Sequence, residues 1–525
     1  MNNYAARYRR GITERTVVTS TRFRGRIVLA GVCALVLASC GGDGGGGAGG
    51  EAEQVFRYAD GLFPVSLDTH QYPAEEAVQT AVQQVLEPLV RLEDGEPVPV
   101  LAQSWENTDE TTWVFHLRDD VEFTDGSPLT ADDVKASAER LIDMEGPLAP
   151  LWAPVESIEA TDDSTVTFHT SQPLGTLPST LSLLFIGPAG QIDDDAYWQQ
   201  PVGTGPFTVD RFVPDDRVLL ERNDGYWGDA AILDRVEIIN IPEESSRITA
   251  LHTGEIDAMS RIPPDQIGKV DGESGIVYET GPSFTYYFIW FNGHEEPLDD
   301  VRVRQAMWHA VNVEGVVADL FGDLATLAQA PITQAVFGAP ALEHYAYDPG
   351  RARQLLAEAG YPDGIDLSIQ WPREGGPNIR GLAQAFISDW ADVGVNVEPL
   401  EKERAQWLED FGNMNWDLNL QTNATGTGDA DFTLGRLYTC EADRMGYCNE
   451  DLDDALARAR ASLDPAEREA LYLEAARYIW DDAVGIFPAD LANNTAYREH
   501  VQGFELPPNG RPDFSTVAIT NPPSR

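Results

Sequence analysis

Cysteine, histidine and the carboxylates are the residue types here that could do chemistry. Cysteines stand at 33, 40, 440 and 448, and histidines at 70, 116, 169, 252, 294, 309, 344 and 500. No histidine pair has metal-ligand spacing on one helix, and no His-x-x-Cys or second Cys pair stands near Cys440 and Cys448 to complete four ligands. There is no Gly-x-Ser-x-Gly elbow, no His-Glu-x-x-His helix and no catalytic-cysteine context. A glycosidase needs two carboxylates across a cleft, but 86 acids make such a pair trivial to find, so the pattern has no specificity. Gly203-Thr-Gly-Pro-Phe207 puts Pro206 where a dinucleotide loop starts its helix and lacks the third glycine. The expectation is a chain that is not an enzyme and carries no cofactor or metal.

The remaining chemistry lies at the cysteines. Arg22, Arg24 and Arg26 precede the apolar run Ile27–Ala38, which is too short to span a bilayer and fits the core of a signal peptide. Leu37-Ala38-Ser39-Cys40-Gly41 follows and resembles the bacterial lipobox, in which the leader is cut before a cysteine that receives a diacylglyceryl group. Two acyl chains hold what one would release. Arg9-Arg10 lie far from the run, and the export route stays open between the general and twin-arginine pathways. The glycine-rich stretch 41–50 reads as a flexible tether. Cys33 leaves with the leader, and outside the cytosol the isolated pair Cys440 and Cys448 is expected to form a disulfide, stabilising by about 2–3 kcal/mol.

Composition bounds the body. A chain of 525 residues is longer than one core usually supports, so two or three lobes are expected. Residues 40–525 hold 29 basic and 85 acidic side chains, a net charge of -56, with lysine only at 135, 269 and 402. Such a surface repels nucleic acid and anionic membrane, and it reads as the solvated face of a salt-adapted or high-GC chain rather than as a device for steering a ligand.

The elements follow from periodicity. Val55–Ala59, Thr112–Arg118, Val155–Ala160 and Thr165–His169 read as strands, and Glu75–Arg91 has helical spacing. Thr130 and Asp133 are close to a capping box for a helix over 131–143. From Val301 the texture changes. Helical stretches 301–320, 349–359, 379–393, 450–463 and 465–481 alternate with strand candidates 365–371 and 395–400, which suggests an α/β lobe, and 501–506 returns toward the first.

Ordered blocks run along this body: Leu86–Ala102, Ser104-Trp105, Phe115–Arg118, Phe123–Val134, Pro201-Val-Gly-Thr-Gly-Pro-Phe207, Asn223-Asp-Gly-Tyr-Trp-Gly228, Leu251–Asp257, Asp300–Ala306 and Tyr447–Asp453. The series resembles the family 5 extracellular solute-binding proteins of ABC importers, which include oligopeptide-, dipeptide- and nickel-binding proteins. The resemblance implies a periplasmic-binding-protein-like α/β fold (type II, cluster C), with two main lobes, a hinge and an inserted third subdomain. The implied layout is signal peptide 1–39, lipidated cysteine and tether 40–52, first lobe 53–98 and 198–279, inserted subdomain 99–197, third lobe 280–496, and a return to the first at 497–525. The implied partners are a small solute with peptide favoured, permease and ATPase subunits, and the membrane through the lipid, with no nucleic acid. A non-peptide solute is the alternative, nickel the weaker one because histidines are scarce, and a secreted hydrolase remote.

The matching binding segments are Ser260-Arg261, Phe284 to Tyr287, Arg404 to Phe411, and Gln421-Thr422-Asn423-Ala424 through Gly426. In the family's peptide binders a Trp and then an Asp that pairs with the peptide amine match Asn423 and Gly426. Asp429 or Asp431 would substitute if the loop is shifted; otherwise the solute lacks a free amine.

Overall fold

In Thr112–Leu117, Trp113, Phe115 and Leu117 turn inward while their neighbours are half-exposed. That strand sits in a four-stranded antiparallel sheet ordered Ala102–Asp109, Thr112–Leu117, Thr165–Thr170, Val155–Asp162. Helix Ala131–Asp143 closes over it. The Thr130 N–H and hydroxyl both donate to the Asp133 carboxylate, at 2.8 and 2.7 Å, and Val134, Ala138 and Leu141 join Phe115, Val166 and Phe168 in one core.

The structure is a computed structural model that describes residues 53–93, 95–373 and 375–520. The expected leader, Cys40 and tether lie outside the described residues. Among the described residues no helix is long and apolar enough to cross a membrane.

An eleven-stranded sheet runs through the rest of the body. Its order is Val395–Lys402, Ile365–Pro372, Leu418–Ala424, Ile276–Phe291, Gly485–Arg498, Ala258–Ser260, Val55–Asp60, Arg235–Asn240, Arg217–Arg222, Phe207–Val213, with Ala325–Leu327 also pairing Gly485–Arg498. One end of the sheet carries the core of Phe56, Tyr58, Phe207, Val236, Phe504 and Phe514, so the carboxyl-terminal segment packs on the first strand. The other end carries a separate, larger core that includes Trp290, Trp308, Trp390, Leu418, Tyr438 and Trp480.

Two strands belong to both ends. Ile276–Phe291 pairs with Gly485–Arg498 from Ile276↔Arg498 to Pro282↔Ala492, loses register, and resumes at Tyr286↔Asp490. The groups freed at the break find other partners: the Phe284 N–H donates to the Pro508 carbonyl at 2.9 Å, and the Phe284 carbonyl accepts from the Thr425 N–H at 3.0 Å. Thr495–Tyr497 pair with Ala258–Ser260 at the first end. The passage between ends therefore falls inside these two strands.

Two helical stretches differ from expectation. Only Glu76–Val82 of 75–91 is helical. The Gln84 and Val85 carbonyls instead accept from the Phe207 and Gly205 N–H groups, so the apolar spacing beyond Val82 reflects a buried connection. The stretch 301–320 is two helices, Val301–His309 and Val313–Phe321, because the Asn312 side chain accepts from the Gly315 N–H and starts a new one. Three sequence blocks converge on Glu87, whose carboxylate accepts from Thr204, Tyr226 and Trp227, each at 2.8 Å. Those blocks build the fold.

Candidate functional site

Strand register sorts the candidate residues onto two faces. Asn423 stands opposite Tyr286 and Gln421 opposite Phe288, while Thr422 stands opposite Tyr287. Tyr286 is in turn opposite Asp490. One face thus carries Gln421, Asn423, Tyr286, Phe288 and Asp490, and the other carries Thr422 and Tyr287. Tyr287 is fully buried and donates to the Pro377 carbonyl at 2.8 Å, so it braces the far face rather than lining a cleft. Thr422 lies with it, 3.4 Å from the Gly375 carbonyl.

The first face is walled by aromatic rings. Phe411 stacks on Trp407, Trp416 and Trp290 at 5.2, 6.2 and 6.0 Å between centroids. Arg404, at the start of the same helix Arg404–Gly412, is exposed and makes no hydrogen bond or ion pair among the described residues. Gln421 is half-buried and likewise unpartnered, and Asn423 donates to Thr433 at 3.2 Å. Ala424 is exposed. Phe284, half-buried at the strand break, packs on the loop after Ala424: a Cβ on Gly428, whose φ is +64°, would come within 2.9 Å of its ring.

Ser260 and Arg261 belong to the other end of the sheet, where they serve an internal network. The Ser260 hydroxyl is 2.8 Å from that of Tyr58. Arg261, at φ +60°, pairs with Asp60 at 2.9 Å and with Glu76. Burial opposes the Arg261 charge, and the two carboxylates more than offset it.

Space beside Gly426 is tight: a Cβ there would meet the Phe432 ring at 3.0 Å, so the ring would have to give by a few tenths of an ångström. Asp429 and Asp431 do not substitute for a carboxylate at that position. Asp429 is buried and paired with Arg468 at 2.6 Å, with the Tyr472 hydroxyl at 3.2 Å, and Asp431 is buried and paired with Arg460 at 3.0 Å.

The sequence reading missed Asp490, Arg436 and Arg444. Asp490 is buried with one carboxylate oxygen unpaired among the described residues; burial pushes it up to about 7, the Gln334 N–H offsetting part. Arg436 is pushed down to about 10 by burial and then by Arg444. Its guanidinium lies 4.8 Å from the Phe432 ring centroid, and Phe432 meets Leu148 and Leu183, which come from the amino-terminal part of the chain. The one available signal was the absence of an acid three or four residues to either side of Arg436 in so acidic a chain.

Cys440 and Cys448 are bonded to each other, with 4.4 Å between Cα atoms. A cavity of about 260 Å³ lies beside this loop, lined by Phe291, Arg304, Tyr447 and Asp482. Its polar groups are engaged: Arg304 donates to four backbone carbonyls, and Tyr447 to Asp482 at 2.7 Å. Among the described residues no group of three His, Cys, Asp or Glu could hold a metal ion.

One sheet shared by two separately cored ends, with polar side chains gathered beside the shared strands, is the architecture of a two-lobed solute-binding protein. The chain belongs to the bacterial extracellular solute-binding proteins, family 5, whose middle-region model matches residues 96–444. It is 27% identical over 463 residues to the dipeptide-binding protein of Escherichia coli K12, covering 81% of this chain and 86% of that one. It is 28% identical over 447 residues to the glutathione-binding protein GsiB of Pectobacterium atrosepticum, covering 81% and 87%. The periplasmic binding protein DppA of Helicobacter pylori, solved with the peptide STSA, superposes with a TM-score of 0.78 at 26% identity, covering 89% of this chain and 98% of that one.

Proposed function

We propose that this chain is the extracytoplasmic, Cys40-anchored binding subunit of an ABC importer, and that it captures short peptides and hands them to a membrane permease without chemical turnover. The carrying observation is the pair of long strands common to both ends of the sheet, with a register break between Pro282 and Tyr286 beside the polar face of Gln421 and Asn423. A break of this kind concentrates bending in a few residues, so the ends close as lobes over a solute that touches both. Relatives that bind dipeptides and glutathione, and a neighbour solved with a peptide, support the peptide assignment. A second reading, a solute without a free amine, is favoured by the Phe432 ring beside Gly426.

Native mass spectrometry of protein purified without denaturation separates these readings. A ladder of peptide masses is expected; one defined saccharide or metal overturns the peptide assignment. Metabolic labelling with a fatty acid tests the anchor: label is expected on wild type and lost in Cys40→Ser, and label retained in the variant rules the anchor out.

A further inference from the structure

Arg436, beside Asn423, and its neighbour Arg444 are half-buried cations to which the fold brings no carboxylate among the described residues. Several other arginines without a carboxylate are served by backbone: Arg247 donates to the Ile241 and Pro242 carbonyls, Arg304 to four carbonyls, Arg498 to Leu251, whereas Arg404 is exposed to water. Arg436 has only the Phe432 carbonyl at 3.2 Å and the Asn423 side-chain oxygen at a long 3.4 Å. Arg444, half-buried, makes no hydrogen bond or ion pair among the described residues. Each guanidinium carries five donors, so most are unused. Arg436 stands in the last turn of helix Ala430–Leu437, where the helix dipole favours a cation, but only by about 0.3–1 kcal/mol. That is less than the cost of crowding two half-buried like charges.

Both positions are fixed in advance. Arg444 lies inside the loop closed by Cys440 and Cys448. That loop is tied at one end by the Cys440 N–H on the Asp453 carboxylate, 3.1 Å, and in its middle by Asp443 on His294, 2.9 Å. Arg436 lies over the ring of Phe432, the residue beside Gly426. Guanidinium donors that are mostly unused and carried on a tied backbone are the arrangement of a preorganised anion site.

We infer that Arg436 and Arg444 together hold a carboxylate of the captured solute, and that this contact, rather than a clasp on the α-amine, sets the solute's register in the cleft. The inference rests on the proposal that solute is captured on this face.

Isothermal titration of the intact, oxidised protein with Ala-Ala, its C-terminal amide and its N-acetyl form tests it. The free acid and the N-acetyl form are expected to bind alike and the amide about tenfold to a hundredfold more weakly, as loss of a charge-assisted contact predicts. Arg436→Gln and Arg444→Gln should each weaken the free acid by a similar factor and leave the amide unchanged. Both variants should melt no lower than wild type without solute, since each removes a half-buried charge that no acid compensates; that separates binding from folding. Equal binding of acid and amide, or variants that bind the acid as wild type does, overturns the inference while the peptide reading stands. If none of the three peptides binds, the peptide reading fails, and glutarate against neutral maltotriose decides the anion site. Glutarate binding that Arg436→Gln abolishes keeps it; binding of maltotriose alone, or of neither, overturns it.

Discussion

The two ends of helix Ala430–Leu437 treat charge in opposite ways. At its start Asp429 and Asp431 are buried, and each meets an arginine from another helix, Arg468 in Pro465–Asp481 and Arg460 in Glu450–Ala461. At its end Arg436 and the following Arg444 have no acid among the described residues, although the chain is crowded with acids. Burial disfavours charge at both ends, and only the first end has the partner and hydrogen bonds that compensate it. The first end holds the lobe together. The second stays uncompensated until something anionic arrives.

The largest test of this contrast is at the compensated end. Arg468→Ala leaves the Asp429 carboxylate buried beside Tyr472 without its cation, so urea unfolding should show a loss of about 3–5 kcal/mol, with solute affinity of the folded fraction unchanged. A loss under about 1 kcal/mol would place this pair with ordinary surface pairs and dissolve the contrast.

Asp490 sharpens it next, as an uncompensated acid on the same face. Its folded pKa is raised to about 7 by burial, so its contribution to stability is complete below the unfolded carboxylate range and is lost as pH rises through about 7. Asp490→Asn should therefore melt higher than wild type at pH 8, by an amount on the order of 4 kcal/mol at about 1.4 kcal/mol per unit. The difference should vanish below about pH 4, and thermal melts across that range check it. A difference that does not change with pH would mean that the effect comes from shape alone.

The disulfide gives the smallest effect. Cys440→Ser with Cys448→Ser should cost about 2–3 kcal/mol by releasing the loop. It should weaken an acidic solute more than its amide, because Arg444 loses its fixed position. A stability loss with the acid-to-amide ratio unchanged would confine the disulfide to folding.

Local interactions were legible in the sequence because both partners lie within a few residues. Thr130 and Asp133 form the expected helix start, and the alternation in Thr112–Leu117 marks its buried face. The stretch 75–91 misled because burial of Val85 and Leu89 imitates a helical stripe, while the Val85 carbonyl accepts from Gly205, more than a hundred residues away, and the Leu89 carbonyl from Val100 and Ala102. The choice between Tyr286 and Tyr287 was also hidden. Helices cover both faces of that end of the sheet, every residue from Tyr286 to Phe291 is buried, and no alternation remains to point at the cleft.

The sequence by itself determined the family, through its ordered blocks, together with the acidic body and the expectation of an exported, lipid-anchored chain. Tertiary structure alone decided which charges are spoken for. Asp429 and Arg468 are 39 residues apart and Asp431 and Arg460 are 29, brought together only when three helices pack, and sequence spacing reports partners within one helical turn. That packing takes the two acids away from the cleft and leaves Arg436 and Arg444 free to meet a solute.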